Sequence, residues 1–324
     1  MGGVKKAERE ISFSVIIPLY NKERHIERAL RSVFSQTVKA DQIIIVDDGS
    51  ADAGVCVVEK FPDPESKIVL LKQKNSGVSV ARNVGVAHAQ GTHIAFLDAD
   101  DAWDSHYLDE VSSIIRKYPN AGAYCTAYRI VQPNGKVKSS PLWFIRHKRH
   151  SKIENYFKSA FHGSPVWTSA TVVPKKFFDK LGGFTTNVGR GEDLELWWRI
   201  AEENDIIISR MVSATYYKDA DNRSIETMSP RIGNGIKPQN WWGIDKLQDL
   251  KKSKKLEGKE IYWINEWLLW LSILSAYGLP AGNTRDNKLK YALKSARGHY
   301  ANFYARAWML KNWFRRVIYF DSSH

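Results

Sequence analysis

The first hundred residues alternate short apolar runs with amphipathic stretches. The apolar runs lie at residues 13–18, 43–46, 68–71 and 94–97. Because they are continuous and rich in β-branched residues, they predict buried strands of a parallel sheet that is covered on both faces. Apolar positions recur at helical spacing between them, so the order is a repeated β-α-β unit. This order predicts an α/β protein with an open, doubly wound sheet.

Two of the amphipathic stretches predict helices with identifiable apolar positions. The first helix has Ile26, Leu30, Val33 and Phe34 on one face, and the second, which follows Ser76, carries Val80, Val84 and Ala87. Charged residues beside the first face, Lys22 among them, are expected to point mostly to solvent.

Polar residues stand where the predicted strands end. They are Pro18, Tyr20 and Asn21 after the first strand, Asp47 and Asp48 after the second, and Asp98, Asp100 and Asp101 after the fourth. Ligands of open α/β sheets bind outside the carboxyl ends of the strands, so we expect these residues to converge on one edge. The first strand is not followed by a glycine-rich loop, which argues against a dinucleotide-binding fold and against a P-loop enzyme.

The carboxylates after the fourth strand indicate a cation. Asp98 and Asp100, one residue apart, offer the oxygen ligands that hard divalent ions prefer, and such an ion keeps positions open for substrate phosphates. The alternative is that the cluster caps the helix that begins near Ser105. The first interpretation favours a substrate that carries a diphosphate.

Composition narrows the class of protein. The 324 residues are 43% hydrophobic and 26% charged, which is ordinary for a globular protein and excludes a fibre. A formal net charge of +13 favours a polyanionic partner and leaves nucleic acid, anionic lipid and a nucleotide diphosphate open. Cys56 and Cys125 are too few for a disulfide framework, and no apolar signal segment follows Met1, so we expect a cytoplasmic protein.

A second carboxylate pair, Glu192 and Asp193, follows a glycine-rich segment. The helix dipole favours acidic residues in a first helical turn, so capping is one interpretation of the pair. The glycines before it also let a loop move, as a base that acts on a bound substrate requires. Trp197 and Trp198 follow on the same helix, and at least one of them is expected to be a core residue.

Four segments of the chain, in this order, resemble the family 2 glycosyltransferases. They are residues 15–21, 45–50, 75–83 and 97–101, which read VIIPLYN, IVDDGS, NSGVSVARN and LDADD. The resemblance implies a GT-A fold, a Rossmann-like open mixed sheet, for residues 12–227. An N-terminal tail over residues 1–11 precedes this domain, and a mainly helical C-terminal extension over residues 228–324 follows it.

The resemblance also implies an activity. It is the transfer of a single sugar, with inversion, from a nucleotide-diphosphate sugar to a hydroxyl of a glycan or lipid-linked acceptor, with Mg²⁺ or Mn²⁺ as cofactor. A UDP-linked donor is the expectation. The Gln-x-x-Arg-Trp motif of the family's processive members is absent from the sequence, which favours transfer of one sugar.

The resemblance implies roles in donor binding for the residues that match the family's motifs. Pro18, Tyr20 and Asn21 border the nucleotide base, Asp47 or Asp48 accepts a hydrogen bond from it, Arg82 lies near the nucleotide, Asp98 faces the ribose, and Asp100 binds the metal. The choice between Asp47 and Asp48 stays open, and capping is the alternative for both. For Arg82 the alternative is a surface ion pair, which would contribute little.

On the acceptor side, Asp193 is similar to the family's general base, which takes the proton of the attacking hydroxyl. Glu192 is expected to orient the loop, and Gly183 and Phe184 resemble the loop that shapes the acceptor site. Asp101 is expected to support the metal ligand Asp100 without contacting the ion itself.

One position departs from the family. Many members carry a metal-binding histidine after the last strand of the sheet, where this chain has none. Either Asp219 or Asp221 replaces it, or Lys218 and Arg223 contact the diphosphate directly. The sequence leaves these alternatives open.

The last hundred residues predict helices. Residues 261–277 are apolar over almost the length of a membrane span, but they contain Glu266, which favours a packed or interfacial helix. Residues 287–318 predict a basic amphipathic helix. Contact with an anionic membrane surface and packing against the catalytic domain both stay open for it.

Two other functions are alternatives. A nucleotidyltransferase acting on sugar phosphates would also bind a nucleotide and a metal, but it would carry a glycine-rich loop near Pro18. A nucleic-acid-binding protein is suggested by charge and aromatic residues alone, because the basic residues form no recognisable binding module. We therefore expect no nucleic-acid partner.

Overall fold

The computed structural model describes residues 11–140, 142, 149–163, 165–186, 191–220, 242–252 and 255–277. The chain divides into two units, Met1–Arg223 and Ser224–His324. Asp221, Arg223 and the predicted helix at residues 287–318 lie outside the described residues.

The first part of the first unit is the predicted β-α-β repeat. Its elements are β1 (Phe13–Leu19), α1 (Ile26–Phe34), β2 (Gln42–Asp47), α2 (Gly54–Glu59), β3 (Ile68–Lys72), α3 (Val78–Ala87) and β4 (His93–Phe96). These strands are parallel and lie in the order β3-β2-β1-β4. The predicted face of α1 is confirmed, since Ile26, Leu30 and Val33 are buried and Phe34 packs against the core. The expectation that β3 is buried is wrong, because β3 forms an edge of the sheet and is only half-buried.

The second part of this unit widens the sheet. Its elements are β5 (Ala102–Trp103), α4 (Tyr107–Lys117), β6 (Ala123–Val131), β7 (Val137–Ser139), β8 (His150–Lys152), α5 (Tyr156–His162), a 3₁₀ turn (Thr168–Ala170), β9 (Thr171–Pro174), α6 (Lys175–Leu181), α7 (Glu192–Glu203) and β10 (Ile206–Tyr217). The strand β9 runs antiparallel to both β4 and β6, and β10 runs parallel to β6. Among the described residues the result is a ten-stranded, open, mixed sheet, in which β9 joins the parallel part to the rest.

Helix α3 packs with a face other than the expected one. Its buried residues are Ser79, Ala81, Arg82, Gly85 and Val86, whereas Val80 and Val84 are half-buried and Ala87 is exposed. Gly85 permits this packing, because a Cβ atom there would lie 2.6 Å from Ile16 Cγ2 of β1. The close approach turns the Arg82 side chain into the protein.

The second unit contains two helices among its described residues. They are α8 (Trp242–Lys251) and α9 (Gly258–Tyr277). Trp263, Ile264 and Glu266 of α9 are buried. In the part of the chain that the structure describes, neither of these helices nor any other has the length and apolar character needed to cross a membrane.

Candidate functional site

The loops after β1 and β2 are held together by hydrogen bonds at the carboxyl edge of the sheet. Asn21 donates its backbone N–H to Ser50 Oγ over 3.0 Å, and its side-chain oxygen accepts from Ala51 N over 2.8 Å. Asn21 has a φ of 49°, a left-handed conformation in which asparagine is enriched. Tyr20 on the same loop is 45% exposed, and Pro18 is half-buried. Of the three predicted base-bordering residues, Tyr20 and Asn21 therefore lie on the loop after β1, and Pro18 lies near the end of β1 itself.

Asp47 and Asp48 are both buried but make different contacts. Asp48 Oδ1 accepts from Gln73 Nε2 over 2.8 Å and from Ser76 N over 2.7 Å, and its Oδ2 accepts from Gly77 N over 2.8 Å. Asp47 Oδ1 accepts from Ser50 N over 3.0 Å. Asp48 thus fixes the loop that leads into α3, and Asp47 fixes the turn after its own strand. Which of them contacts a base stays a prediction.

Arg82 is buried and binds two carboxylates. Its Nη2 donates to Asp98 Oδ1 over 2.7 Å, and its Nη1 donates to Glu192 Oε1 over 3.0 Å. Only 4% of the Arg82 side chain is exposed, so the surface ion-pair interpretation is wrong. Burial alone would lower the pKa of Arg82, but the charges of Asp98 and Glu192 raise it above its ordinary value. The end of β4 and the start of α7 are therefore linked through one cation.

Asp100 is surrounded by positive charge. Lys22 Nζ lies 2.8 Å from Asp100 Oδ2, and Arg28 Nη2 donates to the Asp100 carbonyl over 2.6 Å. The side chains of Lys22 and Asp100 are 12% and 13% exposed. The expectation that Lys22 faces solvent is therefore wrong, because its ammonium group turns back to neutralise the carboxylate.

Asp101 points into the protein rather than to the edge. It is fully buried, and its Oδ2 accepts from Ser169 Oγ over 2.5 Å and from Trp167 Nε1 over 3.2 Å. Burial raises the pKa of Asp101 well above its ordinary value, and the neighbouring Asp100 and Asp98 act in the same direction. Ser169 Oγ also accepts from the backbone N–H of Asp98 over 3.1 Å. Asp101 and Ser169 together fix the main chain that presents Asp98.

Asp193 lies in the first turn of α7. Its Oδ2 accepts from Thr168 Oγ1 over 3.2 Å, and its Oδ1 accepts from Leu194 N over 2.8 Å. Burial, followed by the neighbouring charge of Glu192, raises the pKa of Asp193 to about 6, against the opposing effect of Arg82. A carboxylate with this pKa is ionised at neutral pH and is still a better base than an ordinary aspartate.

The sequence did not predict the 3₁₀ turn as part of the site. The turn nevertheless contacts both the carboxylates after β4 and the carboxylate at the start of α7. Thr168 contacts Asp193, and the next residue, Ser169, contacts Asp98 and Asp101. The available signal was a pair of hydroxyl residues, Thr168 and Ser169, one residue before the short strand β9. A second connection between the same two regions is the ion-pair chain from Asp98 through Arg82 to Glu192. The structure therefore links two of the predicted donor-side residues, Asp98 and Arg82, to the helical turn that carries Asp193.

Asp219 is held by a cation from α1. Arg28 donates to Asp219 Oδ2 over 2.8 Å and to Asp219 Oδ1 over 3.0 Å, and His25 Nδ1 lies 3.9 Å from Asp219 Oδ1. A histidine side chain therefore lies beside Asp219, although it comes from the residue before α1 and not from the segment after β10. Lys218 places its Nζ 5.7 Å from the centre of the Tyr216 ring. Among the described residues, no group of three or more His, Cys, Asp or Glu side chains is placed to hold a metal ion.

The loop of Gly183 and Phe184 is paired with α3 through its main chain. Phe184 N donates to Asn83 Oδ1 over 2.9 Å, and Asn83 Nδ2 donates to Phe184 O over 2.8 Å. Gly183 has a φ of 74°, and a Cβ atom there would lie 2.7 Å from Asn83 Oδ1. The Phe184 ring is buried in the core, so the predicted acceptor role can apply only to the main chain of this loop.

Trp197 and Trp198 of α7 are both core residues. Their side chains are buried, and the Trp197 ring packs 6.4 Å from the Phe184 ring, measured between centroids. The core interpretation therefore holds for both tryptophans. Their burial anchors the helix that begins with the carboxylate pair.

Sequence relatives of the chain are glycosyltransferases. GlyA of Streptococcus pneumoniae is described as a glycosyltransferase and is 34% identical over 105 residues, which are 32% of this chain and 15% of GlyA. An uncharacterized glycosyltransferase of Rickettsia conorii is 31% identical over 207 residues, which are 62% of this chain and 32% of that protein. The chain therefore matches less than two thirds of the length of these relatives.

The fold is similar to that of TarS from Staphylococcus aureus. A crystal structure of TarS residues 1–349 in complex with UDP-GlcNAc superposes with a TM-score of 0.66 at 18% identity, over 87% of this chain and 80% of that one. This likeness confirms the predicted GT-A fold. The family model for Glycosyl transferase family 2 matches residues 14–182, just over half of the chain. The chain belongs to glycosyl transferase family 2.

Proposed function

We propose that the chain is an inverting glycosyltransferase that moves one sugar from a UDP-linked donor to a hydroxyl of a glycan or lipid-linked acceptor. Family membership supports transfer of a sugar from a nucleotide donor. The proposed mechanism rests on Asp193, whose raised pKa suits a general base. Its neighbour Glu192 is connected through Arg82 to Asp98 at the carboxyl edge of the sheet. These contacts, which connect the helical turn of a proton acceptor through one cation to a carboxylate at the strand edge, support the proposal of a single site.

Asp193 is the general base of the proposed reaction. As the acceptor hydroxyl attacks the anomeric carbon, its proton passes to the Asp193 carboxylate and the bond between that carbon and the diphosphate oxygen breaks. Attack from the face opposite the leaving group inverts the configuration. The hydrogen bonds from Thr168 and from Leu194 N orient the carboxylate for this transfer.

The departing diphosphate carries negative charge, and two cations lie at the Asp100 edge. Lys22 contacts the Asp100 side chain, and Arg28 contacts its carbonyl. Fixed positive charge at the place where negative charge develops stabilises the transition state. We assign Lys22 and Arg28 this role beside the substrate.

Asp100 fits one common mode of binding Mg²⁺ or Mn²⁺. In this mode one carboxylate, water molecules and substrate phosphates share the ion, so a cluster of several protein ligands is not needed. The Asp100 carboxylate already attracts a cation, the Lys22 ammonium group, which would have to leave Oδ2. When bound, the ion supplies Lewis-acid neutralisation of the diphosphate charge.

The donor is proposed to be UDP-linked, with its base beside Pro18 and Tyr20, and Asp47 or Asp48 as hydrogen-bond acceptor. TarS, which has a similar fold, was crystallised with UDP-GlcNAc, so this is the first donor to test. The membrane contact expected of residues 287–318 lies outside the described residues. That contact and the cytoplasmic location stay predictions.

A panel of nucleotide sugars with Mn²⁺ tests the proposal. We expect a UDP-sugar to raise the melting temperature and other nucleotide sugars to do so less, because a ligand that binds the native state stabilises it. Released UDP and the anomeric configuration of the product, followed by NMR, then report the reaction. Retention of configuration, or release of pyrophosphate as from a nucleotidyltransferase, would contradict it.

A further inference from the structure

We propose that Arg82 is a positioning residue that, together with Asn83, clamps Phe184 and the first turn of α7, which carries the proposed base, to helix α3. This inference rests on the proposed function for its kinetic consequence, though not for its geometry. The family resemblance implies only that Arg82 lies near the nucleotide. Its contacts indicate a role toward Asp193 instead.

Two consecutive residues of α3 bind Phe184 and Glu192. Asn83 makes two hydrogen bonds to the main chain of Phe184. Arg82 makes an ion pair with Glu192 at the start of α7, over 3.0 Å. Because α3 is itself packed closely on β1 through Gly85, these anchors are fixed to the central sheet.

The same guanidinium group ties the clamp to the donor edge. Its other terminal nitrogen binds Asp98 over 2.7 Å, and its carbon lies 5.2 Å from the centre of the Phe184 ring. A planar guanidinium can hold two carboxylates at once in a fixed geometry, which a lysine ammonium group does less well. Arg82 therefore sets the distance between Asp98 and the first turn of α7.

The clamp also places charge beside Asp193. The titratable groups that act on or respond to this carboxylate are Glu192 on its own helix, Arg82 on α3, Tyr128 on β6 and Tyr156 on α5. Arg82 favours the ionised form of Asp193, and Glu192 disfavours it. Loss of either charge therefore changes the pKa of Asp193, and the two losses act in opposite directions.

The test compares Arg82→Met with Glu192→Gln. We follow UDP release from UDP-GlcNAc with Mn²⁺, water being the acceptor, as kcat/KM against pH. The acid limb should move to higher pH in Arg82→Met, by about half a pH unit or more, and to lower pH in Glu192→Gln. Arg82→Lys keeps the positive charge, so its kcat/KM should fall while its acid limb moves less than that of Arg82→Met. Arg31→Met, which removes an exposed pair with Glu27, is the control and should match the wild type.

Amide hydrogen exchange of a peptide that spans residues 192–196 tests the clamp without turnover. Exchange should be several times faster in Arg82→Met than in Arg31→Met. Equal exchange in the two variants, or acid limbs that move in the same direction in Arg82→Met and Glu192→Gln, would overturn the inference. If the wild type released no UDP while exchange still increased in Arg82→Met, the clamp would stand and the proposed donor would fail.

Discussion

Lys22 Nζ lies 2.8 Å from Asp100 Oδ2, although the two residues are 78 positions apart in the sequence. The pair brings a cation from the loop after β1 to the carboxylate that is proposed to bind a divalent ion. If Asp100 binds the ion as proposed, Lys22 should compete with the ion for this carboxylate in the absence of nucleotide. We expect the same ammonium group to contact the diphosphate once the donor is bound.

Substitution Lys22→Met is therefore predicted to have opposite effects on two ligands. Mn²⁺ alone should bind about two- to fivefold more tightly, because an ion pair of this kind contributes up to about 1 kcal/mol. UDP should bind more weakly. Isothermal titration calorimetry measures both, with Lys72→Met, which removes an exposed pair with Glu59, as the control. Weaker Mn²⁺ binding in Lys22→Met would contradict the competition.

Ser169→Ala is predicted to destabilise the fold and to disturb Asp98. The hydroxyl donates to the buried Asp101 and accepts from Asp98 N, so its removal takes one hydrogen bond from the Asp101 carboxylate and leaves the Asp98 N–H without a partner. The free energy of unfolding should fall by about 1–3 kcal/mol. Ser213→Ala is a matched control, because that buried hydroxyl makes only a 3.5 Å contact with Met211 O. Chemical denaturation compares the two, and equal losses would refute the assigned role of Ser169.

Asp193→Asn is predicted to stabilise the folded protein at high pH. The folded state raises the pKa of Asp193 from its ordinary value of 3.8 to about 6, so ionisation costs more free energy in the folded than in the unfolded chain. Stability from this group is present below about pH 4 and is lost as the pH rises through 6. At pH 8 the variant should be more stable than the wild type, on the order of 1–3 kcal/mol.

Denaturation of both proteins at pH 4 and pH 8 measures this difference, which should nearly disappear at pH 4. Asp179→Asn, which removes an exposed carboxylate paired with Lys175, should change stability little at either pH. If Asp193→Asn were less stable than the wild type at pH 8, the raised pKa would be wrong.

The β-α-β half of the fold and its polar strand ends were predictable from sequence. Short apolar runs mark β1, β2 and β4, and strand ends in such a sheet meet at one edge. Strand β10 was harder to find, because its middle carries polar residues and its pairing with β6 has two register shifts. Strand β9 has four residues, and its apolar run is interrupted, because only Val172 and Val173 are aliphatic.

The directions of side chains were less predictable from the sequence than the helices and strands were. Arg82 and Lys22 are ordinary surface residues by type, and periodicity placed Lys22 in solvent. Each turns inward because a carboxylate from a distant segment meets it, Asp98 in one case and Asp100 in the other. The local sequence pattern contains no information on such long-range pairs. The contacts of Ser169 with Asp98 and Asp101 are also long-range, so its role was not predicted.

The pH dependence of donor turnover in the wild type and Asp193→Asn tests the central claim most directly. With UDP-GlcNAc and Mn²⁺, kcat/KM of the wild type should rise about tenfold per pH unit below pH 6 and level off above it, because only ionised Asp193 accepts the proton. The variant should lose about 10²- to 10⁴-fold in rate and show no limb near pH 6. An Asp193→Asn enzyme that keeps the wild-type rate and the same acid limb would contradict the assignment of Asp193 as the base.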